Sequence, residues 1–299
     1  MKSNYHPPQM KYQLTNDLFS VRRTLNIAGS LLNLDTPKVM GILNVTPDSF
    51  FDGGRFVTEV EILRQTEKML SEGATFIDVG AYSSRPGAND ITAGEEIRRS
   101  TEAIKCIIRE FPAAIISIDT FRVKVAEEAI LEGATMINDI SSGDFDASMP
   151  ALAVKHSVPY IAMHMKGTPA TMKSLAVYDD LIKEIIDYFH QKLSGFRAMG
   201  LKDVIIDPGF GFAKTIEQNF ALLNNLDYFG ILGRPVLVGI SRKSMVWKTL
   251  EQNPEDALNG TTSLNTIALL KGARILRVHD VKEAMGVIKL VTATTSASE

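Results

Sequence analysis

The chain is 299 residues long, enough for two domains of about 150 residues or for one α/β barrel of about 250. With 45% hydrophobic, 22% charged and 7% aromatic residues, its composition is that of an ordinary globular protein, which excludes wholesale disorder. Lys and Arg number 32 and Asp and Glu 35, a formal charge of −3, so no bulk positive field draws the chain onto nucleic acid or an anionic membrane; any anion site must be local.

Residues 1–13 carry Lys2 and two prolines but no apolar stretch of the secretory type, and no uncharged apolar run approaches the roughly 18 residues of a membrane span. The one cysteine, Cys106, excludes an intrachain disulfide framework and any multi-cysteine metal site, and it fits a reducing, cytoplasmic setting. Residues 19–35 alternate around Ala28-Gly29-Ser30 and read as a hairpin closing the N-terminal end of the domain that follows. Eight short β-type runs come next, at 39–45, 76–80, 115–119, 136–140, 159–164, 204–207, 236–240 and 275–278. Most are continuously apolar, as a parallel sheet covered on both faces requires.

Helical periodicity fills the intervals, for example at 95–111 with Ile97, Ile104, Ile108 and Phe111, and at 180–199 with Ile182, Ile185, Phe189, Leu193 and Phe196. Thr58 with Glu61, and Thr215 with Gln218, have capping-box spacing. Gly73, Gly133 and Gly272 each precede a strand, where a helix end favours the left-handed conformation. No Ser/Gly-rich linker divides the chain. The expected architecture is therefore α/β, a single (β/α)8 or TIM barrel with an N-terminal β-hairpin closing its bottom, and a doubly wound open sheet is the alternative. The boundaries are an extension and hairpin over 1–37, the barrel over 38–292, and a small, polar tail over 293–299 that is expected to fray from Thr292 onward.

In such a barrel the C-terminal strand ends form the active site, and here they are polar. They present Asn44, Asp78, Asp119, Asn138-Asp139, His164, Asp207, Ser241-Arg242-Lys243 and Arg277-Val278-His279-Asp280. Any one Asp or Asn could merely cap the next helix, but Asp119, Asn138 and Asp207 together suit a flat heterocycle with hydrogen-bonding edges. His164 and Asp78 stand between structural and ligand roles. Arg85, Arg242, Lys243, Arg277 and His279 form a cationic group that suits a phosphorylated substrate. The loops at 44–54 and 83–87 are rich in turn residues and read as lids. Phe210 and Phe212, set among glycines, suit an aromatic wall for a stacked ring. There is no G-x-G-x-x-G, Walker A or H-E-x-x-H pattern and no nucleophile elbow, so covalent catalysis has no evident agent.

Eight stretches occur in order on the eight strands: MGILNVTPDSFFDGG at 40–54, FIDVGAYSSRPGA at 76–88, SIDTFR at 117–122, INDISSG at 137–143, MHMKGTP at 163–169, DPGFGFAK at 207–214, GISRK at 239–243 and RVHD at 277–280. Over residues 38–284 the sequence resembles the dihydropteroate synthases, pterin-binding barrels. The resemblance implies condensation of p-aminobenzoate with 7,8-dihydropterin-6-ylmethyl diphosphate, with Mg²⁺ on the diphosphate, a homodimer, and inhibition by sulfonamides that compete with p-aminobenzoate. It assigns pterin binding to Asp119, Asn138, Met163, Asp207, Phe212 and Lys243. The diphosphate falls to Asn44, Arg85, Arg277 and His279, with Asn44 also associated with the metal, and p-aminobenzoate to Ser84, Pro86, Phe212 and Ser241. Asp119, Asp207, Lys243 and Arg277 are the implied catalytic residues.

Family members often read Gly-Gly-Glu-Ser-Thr-Arg-Pro-Gly after the second strand, where this chain has Ala81, Tyr82 and Ser84 in place of the second Gly, the Glu and the Thr. Two other functions compete. A methyltetrahydrofolate:corrinoid methyltransferase-like barrel would share the Asp/Asn face but has no need of Ser241-Arg242-Lys243 and Arg277-x-His279. A non-enzymatic barrel would be expected to have lost that charged rim, which this chain retains.

Overall fold

The structure, a computed structural model, describes residues 21–46, 58–82 and 90–297. The first elements are two short antiparallel strands, β1 (Thr24–Ile27) and β2 (Ser30–Asn33), paired Ile27 to Ser30 across a two-residue turn. Ala28 and Gly29 both have positive φ, 48° and 88°, as a hairpin turn matched to the right-handed strand twist requires.

Strands and helices then alternate. The strands are β3 (Lys38–Asn44), β4 (Phe76–Gly80), β5 (Ile115–Asp119), β6 (Met136–Asp139), β7 (Tyr160–Met163), β8 (Val204–Asp207), β9 (Leu237–Val238) and β10 (Ile275–Val278). The helices are α1 (Glu59–Ser71), α2 (Ala93–Glu110), α3 (Val123–Leu131), α4 (Met149–His156), α5 (Leu181–Ala198), α6 (Ile216–Asn224), α7 (Ser244–Trp247), α8 (Leu258–Leu270) and α9 (Val281–Ser296). The capping boxes form as their spacing predicts: Thr58 and Glu61 close the start of α1, and Thr215 and Gln218 that of α6. Gly73, Gly133 and Gly272 have φ of 104°, 115° and 95°, the left-handed turn out of each helix.

The eight strands are parallel in the order β8-β7-β6-β5-β4-β3-β10-β9. A bridge between Ile206 and Val236 joins the two outer strands, with the Ile206 N–H donating to the Pro235 carbonyl at 3.0 Å. The sheet therefore closes, and the doubly wound alternative is excluded. β9 is shorter than the expected 236–240; Pro235 at its entry has no N–H to give the ladder.

Strand residues alternate between two cores. Ile77, Val79, Ile116, Ile118 and Val204 face outward to the helices, with Ile104, Ile107, Ile185 and Phe189 packed against them. Inside, Phe76, Met136, Ile161, Ile205 and Ile275 form a layer plugged from below by Leu25, Ile27 and Leu34 of the hairpin segment. Two residues further along the same strands, on the same face, stand Asp78, Asn138, Met163, Asp207 and Arg277. The polar site is thus one pleat above a dry floor.

The chain end departs from expectation. In place of a frayed tail, α9 runs on to Ser296, with the Thr294 hydroxyl donating to Leu290 O at 2.8 Å and that of Thr295 to Thr292 O at 3.0 Å. Each hydroxyl is satisfied within the helix instead of competing with it. Among the described residues no helix is long and apolar enough to cross a membrane.

Leu25 is fully buried in the plug. Leu25→Ala is expected to lower unfolding free energy by about 3 kcal/mol, read as a lower urea midpoint. The kcat of the protein that remains folded should be unchanged, because the floor is one layer below the reacting groups.

Candidate active site

A guanidinium sits at the centre of the mouth. Arg277, midway along β10, donates from Nε to Asp78 Oδ2 and from Nη2 to Asp119 Oδ2, each at 2.6 Å. Asn138 donates from Nδ2 to the same Asp78 oxygen at 3.0 Å. Asp78 is wholly buried, whereas the Asp119 side chain retains 21% of its exposure and Arg277 19%, so those two are the members of the cluster that a ligand can reach. Neither Asp119 nor Asn138 caps a helix: Arg122 stands at the N-cap of α3, which has no side-chain cap bond, and the Asn138 amide is turned to Asp78. Burial pushes the Asp119 carboxyl up to about 7; Arg277 opposes this and the Asp78 charge adds to it. On Arg277 burial acts downward, but the carboxylates outweigh it and its pKa is raised.

Across the mouth, Asp207 ends β8 and accepts the Gly209 N–H at 2.8 Å. Burial raises its pKa, opposed chiefly by Lys243. Gly209 has φ +77°, and a Cβ there would overlap the His164 carbonyl oxygen, so only glycine lets the loop cross β7 this closely. Lys243 donates to Phe210 O and holds its ammonium 4.8 Å from the Phe212 ring centre; burial lowers its pKa to about 8. The expected pair of aromatic walls is corrected to one. Phe210 is fully buried in the outer core, while Phe212 packs on an apolar patch of Ile140, Met163, Met165 and Met172. Flanking glycines at positive φ allow adjacent aromatics to point into different layers.

His164 proves to be structural. Burial, and then the charge of Lys214, holds its pKa down at about 2. Its Nδ1 faces the Lys214 ammonium at 3.1 Å, and Lys214 also donates to Gly209 O and Phe212 O, both at 3.0 Å. Lys214 thereby stitches the glycine loop to the end of β7. Its position in DPGFGFAK is legible, but its three acceptors come from folding.

At the remaining strand ends, the His279 backbone N–H donates to Ser241 Oγ at 3.2 Å, and that hydroxyl lies 3.0 Å from His279 Nδ1. Ser241 thus ties the end of β10 to the loop after β9 through both the backbone and the imidazole of His279. Arg242, expected in the anion patch, belongs elsewhere: its guanidinium grips Asp280 through two bonds of 2.8 and 2.9 Å and donates to Glu255 O. Its backbone takes the left-handed conformation, φ 54°. Asp139 is likewise structural, with its two oxygens taking Ser141 N and Oγ, Gly143 N and the Tyr160 hydroxyl at 2.7 to 2.8 Å.

Asn44 ends β3 beside Gly80, where an added Cβ would stand 3.5 Å from Asn44 Oδ1 and 3.6 Å from Asp119 Oδ2. The missing side chain leaves that gap open between two oxygens. Tyr82 meets Phe121 edge-on at 5.1 Å, and Phe121 meets Phe145 at 5.3 Å. Arg122 lies over the rings of Tyr82 and Phe121 and pairs with buried Glu96 at 2.6 Å. This cluster, which the sequence reading missed, lines a cleft of about 500 Å³ next to the apolar patch. Its signal was Tyr82 itself, an aromatic where relatives often have an acid. Ser84, Arg85, Pro86 and most of both supposed lid loops lie outside the described residues.

A sequence profile described as pterin binding enzyme matches residues 40–279. The chain belongs to the pterin-binding enzyme family. The dihydropteroate synthase of Escherichia coli is 40% identical to this family member over 273 residues, 91% of this chain and 96% of its own. That of Synechocystis is 43% identical over 258 residues, 85% and 89% of the two chains. The Yersinia pestis dihydropteroate synthase, solved with a sulfonamide drug, superposes with a TM-score of 0.86 at 39% identity, covering 91% of this chain and 99% of that one. The Thermus thermophilus enzyme, solved with 4-aminobenzoate, gives 0.81 at 36% identity with the same coverage. These likenesses place this pterin-binding enzyme among the dihydropteroate synthases and favour that reading over the methyltransferase.

His164 supplies a pH test of this pterin-binding barrel. Its imidazole stays neutral in the fold down to about pH 2 but protonates near 6.5 when unfolded, so unfolding takes up a proton below 6.5. Stability from this residue is complete above that pH and falls by about 1.4 kcal/mol per unit below it. Between pH 6.5 and 5 the wild type should lose about 2 kcal/mol that His164→Gln does not, measured as the difference between their urea midpoints at each pH.

Proposed function

We propose that this chain condenses p-aminobenzoate with 7,8-dihydropterin-6-ylmethyl diphosphate, giving 7,8-dihydropteroate and diphosphate. The observation that carries the reading is the set of desolvated acceptors, Asp119, Asn138 and Asp207, gathered around one guanidinium over a dry floor. Such a set suits the amino and ring N–H donors of a reduced pterin, and Met163 and Phe212 offer it an apolar face. As bonding or developing positive charge reaches the ring, Asp119 and Asp207 are drawn into their ionised forms and favour an electron-poor ring. That electrostatic bias favours loss of diphosphate ahead of attack by the arylamine: the C–O bond breaks with its electron pair on the diphosphate, the C–N bond forms, and the amine gives up a proton.

Arg277 spends two of its five N–H bonds on Asp78 and Asp119, and its others, with His279 and Arg85, would meet the diphosphate. Lys243 holds the pterin ring and faces the amine site, with Ser84, Pro86, Phe212 and Ser241 for p-aminobenzoate. Among the described residues no cluster of three or more His, Cys, Asp or Glu could hold a metal ion alone. Mg²⁺ fits nonetheless, since it takes few protein ligands and binds chiefly through water and phosphate oxygens. Asn44 Oδ1, beside the gap at Gly80, is the protein oxygen suited to it. When bound, Mg²⁺ would neutralise charge on the departing diphosphate. A cytoplasmic location fits a chain with one cysteine, Cys106, which is buried, and sulfonamide inhibition at the p-aminobenzoate pocket belongs to the same proposal.

Incubation with both substrates should yield dihydropteroate in a Mg²⁺-dependent manner, and Lys243→Ala and Asp207→Asn should each lower kcat/KM by about 100-fold or more. No product from folded protein would overturn the reading; near-wild-type turnover in both variants would overturn the residue roles. We also propose a homodimer, for which α8 and α9 expose Ile267, Leu270 and Leu290. Light scattering should then give twice the chain mass, and a monomer at micromolar concentration would refute it.

A further inference from the structure

Asp78 and Asp139 are both buried carboxylates at the barrel's polar end, yet they are used differently. Asp139 is saturated, with bonds to both oxygens. Asp78 places two donors, Arg277 Nε and Asn138 Nδ2, on the single oxygen Oδ2, and its Oδ1 is buried without a protein partner among the described residues. A carboxylate kept for stability alone would be expected to fill both oxygens, because a buried acceptor left open costs free energy. Asp78 is instead arranged around what its two partners do.

An asparagine amide can present either its oxygen or its nitrogen, two ends of nearly the same shape. With Nδ2 directed at Asp78, the Asn138 oxygen is turned away from it, so the residue offers an acceptor to the pocket beside the carboxylates of Asp119 and Asp207. Arg277, free to swing on three methylenes, is fixed by its Nε bond to Asp78, which aims the rest of the fork at Asp119 and the pocket. We propose that Asp78 is a positioning residue that sets the hydrogen-bonding polarity of the pterin face: through its two bonds it selects the Asn138 amide orientation and the direction of the Arg277 guanidinium. The proposal rests on the pterin-binding reading above. Asp78 does not touch the ligand, because it has no exposure of its own and meets the pocket only through Asn138 and Arg277.

The test compares wild type with Asp78→Asn, a variant of the same shape without the charge. Calorimetric binding of 6-hydroxymethyl-7,8-dihydropterin should weaken at least tenfold, while KM for p-aminobenzoate stays within twofold. A second readout separates positioning from bulk stability. Beside burial, the charged groups acting on Asp119 are Arg277 and Lys243, which favour its ionised form, and Asp78, Glu96 and Asp139, which raise its pKa. Removing the Asp78 charge therefore moves the acid limb of kcat/KM for the pterin diphosphate to lower pH. A folded Asp78→Asn protein that binds the dihydropterin as tightly as wild type, with an unmoved acid limb, overturns the proposal. If the variant does not fold, wild type labelled with ¹⁵N-arginine decides: one Nε–H resonance, assigned by its loss in Arg277→Lys, should exchange with solvent at least tenfold more slowly than those of surface arginines. Rapid exchange there overturns the proposal as well. Wild type that fails to bind the dihydropterin overturns the functional reading instead, so the two failures are distinct.

Discussion

A single half-buried guanidinium between two carboxylates organises the mouth of this barrel. Withdrawing one charge wholly and two others largely from water is costly, and the cost is met only where geometry is close and further hydrogen bonds complete the set. The 2.6 Å bonds from Arg277 to Asp78 and Asp119 meet that condition, and Asn138 adds the further bond. They can do so because the layer below is apolar and closed by the hairpin, so water does not compete from beneath. Plug, polar layer and pocket form one sequence of dependence, each requiring the one below it.

The charges above that layer divide into two kinds. Some are committed to structure: Arg242 with Asp280 couples the ends of β9 and β10, Glu96 with Arg122 fixes the turn after β5, and Lys214 with His164 pins the glycine loop to β7. Others are held in a state that burial disfavours. Asp119 and Asp207 are pushed toward the neutral acid and Lys243 toward the neutral amine. Groups so placed respond to a ligand that brings compensating donors or charge, which is how a preformed site stabilises charge that appears only during reaction. Positional commitment of the first kind makes the second possible, because a guanidinium or amide free to rotate would solvate the carboxylates itself.

Much of this was legible along the chain. Eight continuously apolar runs can be satisfied only by a sheet covered on both faces, and polar residues ending those runs can only collect at one rim. Asp119, Asn138, Asp207, Lys243 and Arg277 were found on that basis, and the structure brings them together. Errors arose where one residue had two physical options: Phe210 could be wall or core, Arg242 anion site or ion pair, and Thr292 onward tail or helix. Sequence spacing does not distinguish these, since the partner that decides each lies far along the chain, as Asp280 does for Arg242.

The sequence by itself determined the barrel, its hairpin floor, the polar rim and the family, because period, punctuation and motif order are local properties. Only the tertiary structure decided which charges pair. Asp78 and Arg277 are separated by 199 positions and Asp119 and Arg277 by 158, and nothing in their neighbours announces the bonds between them. They meet because the curved strand order β5-β4-β3-β10 carries Asp119, Asp78 and Arg277 to the same inner face of the barrel, where one guanidinium has two carboxylates in reach.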